Sequence, residues 1–157
     1  MIELELVGVR VELPHNQPIV LLKERAGDRF LPIWIGAVEA TSIAFALQGV
    51  VTSRPMTHDL MRDLLSTLEV SVDRIVVTEL REGTFYAEIR MTSDGESVTV
   101  SSRPSDAIAL AVRATVPIFA DESVLEEAGI HIDEEEETDE VEQFKEFLEQ
   151  VTPEDFR

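Results

Sequence analysis

The chain has no cysteine and only three histidines in 157 residues. Without cysteine there can be no disulfide framework and no thiolate metal site. The histidines, at positions 15, 58 and 131, are not spaced as zinc ligands, and the sequence has neither a glycine-rich phosphate loop nor a nucleophile elbow. These absences leave a chemistry based on carboxylate oxygens and arginine.

Long apolar runs and basic stretches are also missing. No apolar run could cross a bilayer, and residues 1–13 alternate between apolar and charged, as a strand does and a signal peptide does not. We therefore expect a cytoplasmic protein with no membrane partner. Lysine and arginine number 13 against 32 acidic residues, giving a net charge of −19, and aromatics make up 6%. This composition weakens the case for a nucleic-acid partner, since binding a polyanion usually relies on basic side chains.

The acidic charge is densest at the C-terminus. Residues 133–157 hold 12 acidic and 2 basic side chains, and they begin with the run Asp133–Glu137. Such a run repels itself and predicts a solvated linker, while the apolar spacing after it predicts a short amphipathic helix. We therefore divide the chain into a domain at 1–132 and an acidic tail at 133–157. The tail is a solubility device, a docking helix or a nucleic-acid mimic.

Residues 1–132 have the pattern of an α+β domain. Alternating apolar residues predict strands at 1–13, 19–23, 29–35, 72–80, 84–92 and 98–100. Helical spacing predicts helices at 37–47, 57–68, 104–115 and 121–129. A phase change near Leu6–Gly8 predicts a β-bulge in the first strand. Trp34, in an apolar strand, is expected in the core.

The two halves of the domain resemble each other. A shift of 65 residues places Ile33–Ile35 on Val98–Val100 and Ile43–Leu47 on Ile108–Val112. This overlay predicts an internally duplicated unit of three strands plus a helix pair, with the sheets packed together and the helices buried; chance similarity is the alternative. The many apolar residues at 37–51 and 108–119 further predict a homo-oligomer, most simply a dimer.

Two short segments, Ser53–Asp59 and Ser102–Asp106, are the strongest functional signal. Each joins an arginine, a proline, a hydroxyl and an aspartate directly before an apolar helical stretch. Proline and aspartate suit a helix start, but a cation gains nothing beside the positive end of a helix. The arginines therefore indicate either a polar site shared by the two segments or an ion pair within each segment.

For the shared site, we expect one polar pocket formed by residues near helix starts. The candidate catalytic residues are Glu39, His58, Asp59 and Asp106. The candidate phosphate-binding residues are Arg54 and Arg103, whose guanidinium groups can form paired hydrogen bonds to phosphate. The three carboxylates, Glu39, Asp59 and Asp106, could hold Mg²⁺ or Mn²⁺ and activate water. Each residue also has a plainer explanation as a helix cap, a first-turn acid or an ion-pair partner.

Three stretches are similar to the bifunctional nuclease (BFN domain) family of bacteria and plants. They are Leu31–Gly36 with Glu39 and Ala40, Arg54–Leu60, and Ser102–Ala111. The resemblance covers about residues 1–130 and implies an internally duplicated α+β domain that acts as a metal-dependent nuclease on DNA, RNA or both. It implies no fixed catalytic set, so the site residues above rest on their own chemistry. The alternative is a non-catalytic regulatory protein that binds a protein partner or an acidic small ligand.

Overall fold

The computed structural model describes residues 1–12 and 17–132, and it confirms an α+β fold. The strands are β1 (Ile2–Glu12), β2 (Gln17–Glu24), β3 (Phe30–Trp34), β4 (Val70–Arg81), β5 (Thr84–Ser93), β6 (Glu96–Ser102) and β7 (Ile118–Ala120). The helices are α1 (Ala37–Leu47), α2 (Thr57–Thr67), α3 (Pro104–Ala114) and α4 (Glu122–Ala128). In the described ranges, none of these helices has the length and apolar character needed to cross a membrane.

All seven strands belong to one sheet, in the order β3-β2-β1-β7-β4-β5-β6. Strands β1–β3 and β4–β6 form two antiparallel meanders, and β7 joins them by pairing antiparallel with β1 and parallel with β4. The halves therefore meet edge to edge in one continuous sheet, whereas the sequence led us to expect sheets packed together. The strand that joins them has three residues, too few for an alternation pattern to reveal it. Internal duplication stays a prediction.

Local sequence features account for the irregular points of the sheet. The register between β1 and β2 shifts between Leu6 and Gly8, which confirms the predicted bulge. The β4–β5 and β5–β6 hairpins close through two-residue loops, Glu82–Gly83 and Asp94–Gly95, in which both residues have positive φ. This is the geometry of a type I′ turn, which matches the twist of the strands and favours glycine at its second position.

Helices α1, α2 and α3 pack together against the sheet. Helix α1 contacts β1 and β2, α3 contacts β4 and β5, and α1 and α3 contact each other. Helix α2 lies on α3 and β4. The middle of α1, residues 40–45, is buried on every side, and α3 is buried over most of its length. The prediction that these two helices lie in the core is confirmed.

The sheet is strongly curved. A flat sheet would hold β3 and β5 about 24 Å apart at ordinary strand spacing, yet Trp34 of β3 and Phe85 of β5 line one groove. Trp34 is 51% exposed, so the prediction that it lies in the core is wrong. Its neighbours Ile33 and Ile35 are buried, and because side chains alternate along a strand, Trp34 faces outward.

We predict that the tail is dispensable for folding. Residues 133–157 lie outside the described residues, and the buried core is complete between Leu4 and Leu125. A chain ending at residue 132 should therefore melt within a few degrees of the full-length protein, as measured by circular dichroism. A fall of more than about 10 °C, several kcal/mol for a domain of this size, would show that the tail packs on the domain.

Candidate functional site

The two arginine–proline segments meet at the starts of α2 and α3. His58 Nε2 lies 2.8 Å from Asp106 Oδ1. Arg103 Nε donates to Asp106 Oδ2 at 2.9 Å, and its Nη2 donates to Glu39 Oε1 at 2.9 Å. These contacts join residues from the first turns of α1, α2 and α3. Four of the six residues expected from the sequence are therefore linked in one chain of hydrogen bonds.

The position of each acid follows from helix capping. Glu39, Asp59 and Asp106 are each the third residue of their helix, where a carboxylate is favoured by the positive end of the helix dipole. Only Asp59 also caps its own helix, by accepting from the Met56 N–H at 3.0 Å. Glu39 and Asp106 instead turn toward Arg103, so the same helix position serves two different purposes.

A fifth member of this group, Ser42, was not expected from the sequence. Ser42 Oγ lies 2.7 Å from His58 Nδ1, and both residues are buried. An ionised Asp106 can only accept, so the Nε2 of His58 carries a proton. The Nδ1 of a neutral ring accepts from the Ser42 hydroxyl, and that of a charged ring donates to it. The imidazole is therefore held at both nitrogens in either state. We call this group the Arg103 cluster: Glu39, Ser42, His58, Arg103 and Asp106.

Two carboxylates near these contacts, Asp106 and Asp59, have shifted pKa values. Burial raises the pKa of Asp106, but the bonds from His58 and Arg103 outweigh burial and hold the pKa below its ordinary 3.8. Burial also raises the pKa of Asp59, and the bonds from Arg113 and the Met56 N–H again lower it overall. A carboxylate with a lowered pKa stabilises the fold while ionised. This contribution is complete above about pH 4–5 and is lost as the pH falls through the lowered pKa.

Asp59 does not belong to the Arg103 cluster, because it pairs with Arg113. Arg113 Nε donates to Asp59 Oδ1 at 2.6 Å, Nη1 donates to the Ala109 carbonyl and Nη2 donates to the Ser42 carbonyl, both at 3.0 Å. The Arg113 side chain is 5% exposed. One buried guanidinium thus connects α1, α2 and α3. The ion pair between Arg54 and Asp59 that the sequence suggested is replaced by this one, whereas the pair between Arg103 and Asp106 is formed.

Arg54 and Arg103 open onto different cavities. Arg54 lines a cavity of about 410 Å³ between the α1–α2 loop and the end of α3, together with Asp59, Arg62 and Arg113. Its side chain is exposed, and it has no ion pair within residues 1–12 and 17–132. We call this space the Arg54 cavity. The predicted single pocket is therefore divided, with Arg54 and Asp59 on one side and the Arg103 cluster on the other.

The second space, here called the Trp34 groove, has a volume of about 410 Å³ and lies at the starts of α1 and α3. It is lined by Arg103, two aromatic side chains, and several small or polar residues. Its lining includes Gln17, Trp34, Thr84, Phe85, Arg103 and Ser105. The exposed end of the Arg103 cluster thus opens into a groove with aromatic walls.

The carboxylates as arranged do not fit the three-ligand metal site expected from the sequence. In the part of the chain that the structure describes, no three histidine, aspartate or glutamate side chains are placed to share an ion. Arg103 occupies the position between Glu39 and Asp106 that a shared cation would take, and Asp59 is held by Arg113. Binding of Mg²⁺ or Mn²⁺ stays a prediction for measurement in solution.

Two residues, Ser42 and Arg113, were not predicted as part of the site, although each carries a weak signal in the sequence. Ser42 follows Thr41 as a polar pair inside an otherwise apolar helix, and Arg113 is the single basic residue of α3. Arg113 also stands seven residues after Asp106, two helical turns along, so both residues lie on one face of α3. Neither signal identifies a partner, because the partners come from other helices.

Asp59 and Asp63 of α2 each pair with an arginine, and we predict that these two ion pairs differ sharply in their contribution to stability. Asp59→Ala leaves the buried Arg113 without a countercharge, which should lower the free energy of unfolding by about 3–5 kcal/mol. Asp63→Ala is the matched control, since Asp63 pairs with Arg62 at the surface and both side chains are over 40% exposed; its cost should stay below about 1 kcal/mol. Urea denaturation measures both, and equal losses would contradict the assignment.

Comparison with known proteins identifies a family and several relatives of this chain. Residues 20–133 match the family model described as the bifunctional nuclease domain. A Mycobacterium tuberculosis protein described as uncharacterized is 50% identical over 163 residues, spanning 99% of this chain and 98% of its own length. Bifunctional nuclease 2 of Oryza sativa subsp. japonica is 29% identical over 75% of this chain, and that of Arabidopsis thaliana is 28% identical over 76%.

These plant relatives are longer proteins. The match covers 38% of the rice protein and 37% of the Arabidopsis protein. The family resemblance noted in the sequence is nevertheless confirmed by the family model itself, which spans the sheet from β2 onward, all four helices and the whole Arg103 cluster. The chain belongs to the bifunctional nuclease domain family.

Proposed function

We propose that this protein hydrolyses phosphodiester bonds in DNA, RNA or both, at the Arg103 cluster. Family membership and the names of the plant relatives support a nuclease. The observation that carries the proposal is the state of Arg103. Its side chain is 64% exposed and fixed by Glu39 and Asp106, and in the described residues its Nη1 has no hydrogen-bond partner. A positioned guanidinium with an open nitrogen suits a phosphate oxygen.

The roles of the other residues follow from the reaction. A water oxygen attacks phosphorus and gives up a proton, the bond to the leaving sugar oxygen breaks, and that oxygen takes up a proton from solvent. Asp106 and Glu39 adjoin Arg103 and are the carboxylates placed to accept the proton of the attacking water. His58 is buried and bonded at both ring nitrogens, so it acts as a positioning residue that fixes Asp106. Exposed Arg54, on the neighbouring cavity, would contact a further phosphate of a polymeric substrate.

A dependence on Mg²⁺ or Mn²⁺ is a separate part of the proposal. Such an ion would neutralise the developing charge on the phosphate, and Glu39 and Asp106 are the carboxylates that face the substrate side. They could bind it only after Arg103 moved away from them, so the roles above are assigned to side chains alone. A non-catalytic binding protein is the second candidate, favoured by the net charge of −19 and by the pairing of both carboxylates.

We predict that Asp106→Asn abolishes cleavage without unfolding the protein. The amide keeps the shape of the side chain and can still accept from His58, so the melting temperature should fall by only a few degrees. Removal of the proton acceptor should slow cleavage by about 10²–10⁴-fold. Labelled single- and double-stranded DNA and RNA, each with EDTA, Mg²⁺ or Mn²⁺, serve as substrates.

The control for this experiment is Glu79→Gln, which alters an exposed acid of β4 that lies outside the Arg103 cluster and lines neither cavity. It should cleave like the unmodified protein. If no substrate is cleaved under any metal condition, the binding function replaces the nuclease. If Asp106→Asn cleaves as fast as the control, the activity lies elsewhere in the preparation or the protein.

We also propose that the protein is a homo-oligomer, most simply a two-fold dimer. Of the apolar residues that first suggested this, at 37–51 and 108–119, Ile43–Phe45 and Ile108–Ala111 are buried within one chain, whereas Val38 and Val51 are exposed. A different surface now supports it. Leu60 and Leu64 on the outer face of α2, and Leu68 at its C-cap, lie four residues apart and are 50%, 52% and 69% exposed. Such a stripe can pair with its own copy across a two-fold axis.

We predict a dimer mass by light scattering at micromolar concentration, and the 17.6 kDa mass of one chain after Leu64→Glu. A charge in the centre of the stripe would be buried without a partner in the dimer. Val100→Glu is the control, because Val100 is 46% exposed on β6 and lies outside the stripe and outside residues 37–51 and 108–119. A monomer mass for the unmodified protein would refute the dimer.

A further inference from the structure

Trp34 is unusual among the aromatic residues of this protein. It is the only tryptophan in the chain, and half of its surface is exposed on the edge strand β3. Tryptophan is usually well buried because its large ring loses most by exposure to water. The residues on either side of Trp34, Ile33 and Ile35, are buried, so the backbone that carries the ring is anchored to the core.

The Trp34 groove is also lined by a second aromatic ring and a cation. Phe85 is partly buried and packs against the core, and Arg103 lines the same groove. The remaining polar side chains, Gln17, Thr84 and Ser105, supply donors and acceptors, and none of the described lining residues is acidic. Its volume of about 410 Å³ falls within the range of small-ligand sites, roughly 300–1,000 Å³.

We propose that the Trp34 groove binds an unpaired nucleobase, with the base against Trp34 and Phe85 and its phosphate on Arg103. This rests on the proposed function and specifies its substrate class, single-stranded nucleic acid. Aromatic side chains stack on any base through its π-face, whereas the bases of a duplex are already stacked and must be extruded to enter such a groove. Arg103 belongs to both the groove and the cluster, so a base bound there brings its own phosphate to the carboxylates.

The electrostatics of the groove set the expected behaviour in salt. The protein carries a net charge of −19, and Arg103 is the one lysine or arginine among the described lining residues. Stacking must therefore supply most of the affinity, and about one phosphate is neutralised. Raising the salt from 50 to 200 mM should then weaken binding only about threefold, far less than for a protein that binds through many phosphates.

Because the chain has one tryptophan, its fluorescence reports this site directly. We would titrate the full-length protein, in EDTA, with a five-nucleotide DNA single strand, a blunt 12-base-pair duplex, and an abasic single strand of the same length. The single strand should change the Trp34 emission in a saturable way. The abasic strand and the duplex should have little effect, since one has no bases and the other has none unpaired.

Variants separate the groove from the rest of the surface. Trp34→Leu should weaken binding of a fluorescein-labelled single strand by about tenfold in anisotropy measurements, the loss of one stacked base, and Trp34→Phe should recover part of it. Phe85→Leu is a second test within the same groove. Val38→Ala is the matched control, because Val38 is 68% exposed and does not line the groove. Melting temperatures confirm that each variant is folded.

The outcomes distinguish this proposal from the nuclease proposal. Cleavage that persists with unchanged single-strand binding in Trp34→Leu overturns the base site and leaves the nuclease standing. Base-dependent quenching without cleavage supports the base site and refutes the nuclease. Emission that changes with protein concentration alone, and not with the oligonucleotide, would show that a second copy of the chain covers Trp34, and this also overturns the base site.

Discussion

The buried guanidinium of Arg113 is the contact on which the site depends. It joins a side chain of α2, a carbonyl of α1 and a carbonyl of its own helix, and its countercharge within residues 1–12 and 17–132 is Asp59. Because a buried cation without a partner is very costly, this arrangement fixes where α2 can lie. His58 is the residue before Asp59, so the same constraint carries the imidazole to Ser42 and Asp106.

The Arg103 cluster extends this frame toward the surface. Exposure of the side chain rises from 6% at His58, through 27% at Asp106, to 64% at Arg103. The inner members are held by short, well-defined bonds, and the outermost member keeps one nitrogen open. In such a site, the buried members fix the orientation of the side chains. The exposed member, Arg103, contributes less to holding the fold together.

Sequence reasoning succeeded where the determinant was local. Helix bounds, the bulge at Gly8 and the two hairpin turns follow from neighbouring residues, and three acids at helix starts indicated where polar chemistry would gather. The sequence could not show which partner a charged side chain takes. Asp59 could pair with Arg54 nearby or with Arg113 on another helix, and only the packing of the helices decides between them. Trp34 was misplaced for a similar reason, since an apolar strand does not reveal which of its faces is left uncovered at a sheet edge.

Burial explains why three arginines of one domain have three different roles. Arg113 is enclosed, and each of its three side-chain nitrogens donates to the protein, so it acts in stability. Arg103 is held through Nε and Nη2, so its guanidinium is positioned while its exposed side can still contact a ligand. Arg54 is exposed and unpaired within the described residues, so it adds charge without a fixed geometry. On a chain this acidic, the proposed single-stranded ligand would meet favourable charge at such points, and a groove that also offers aromatic faces would not need a broad basic surface.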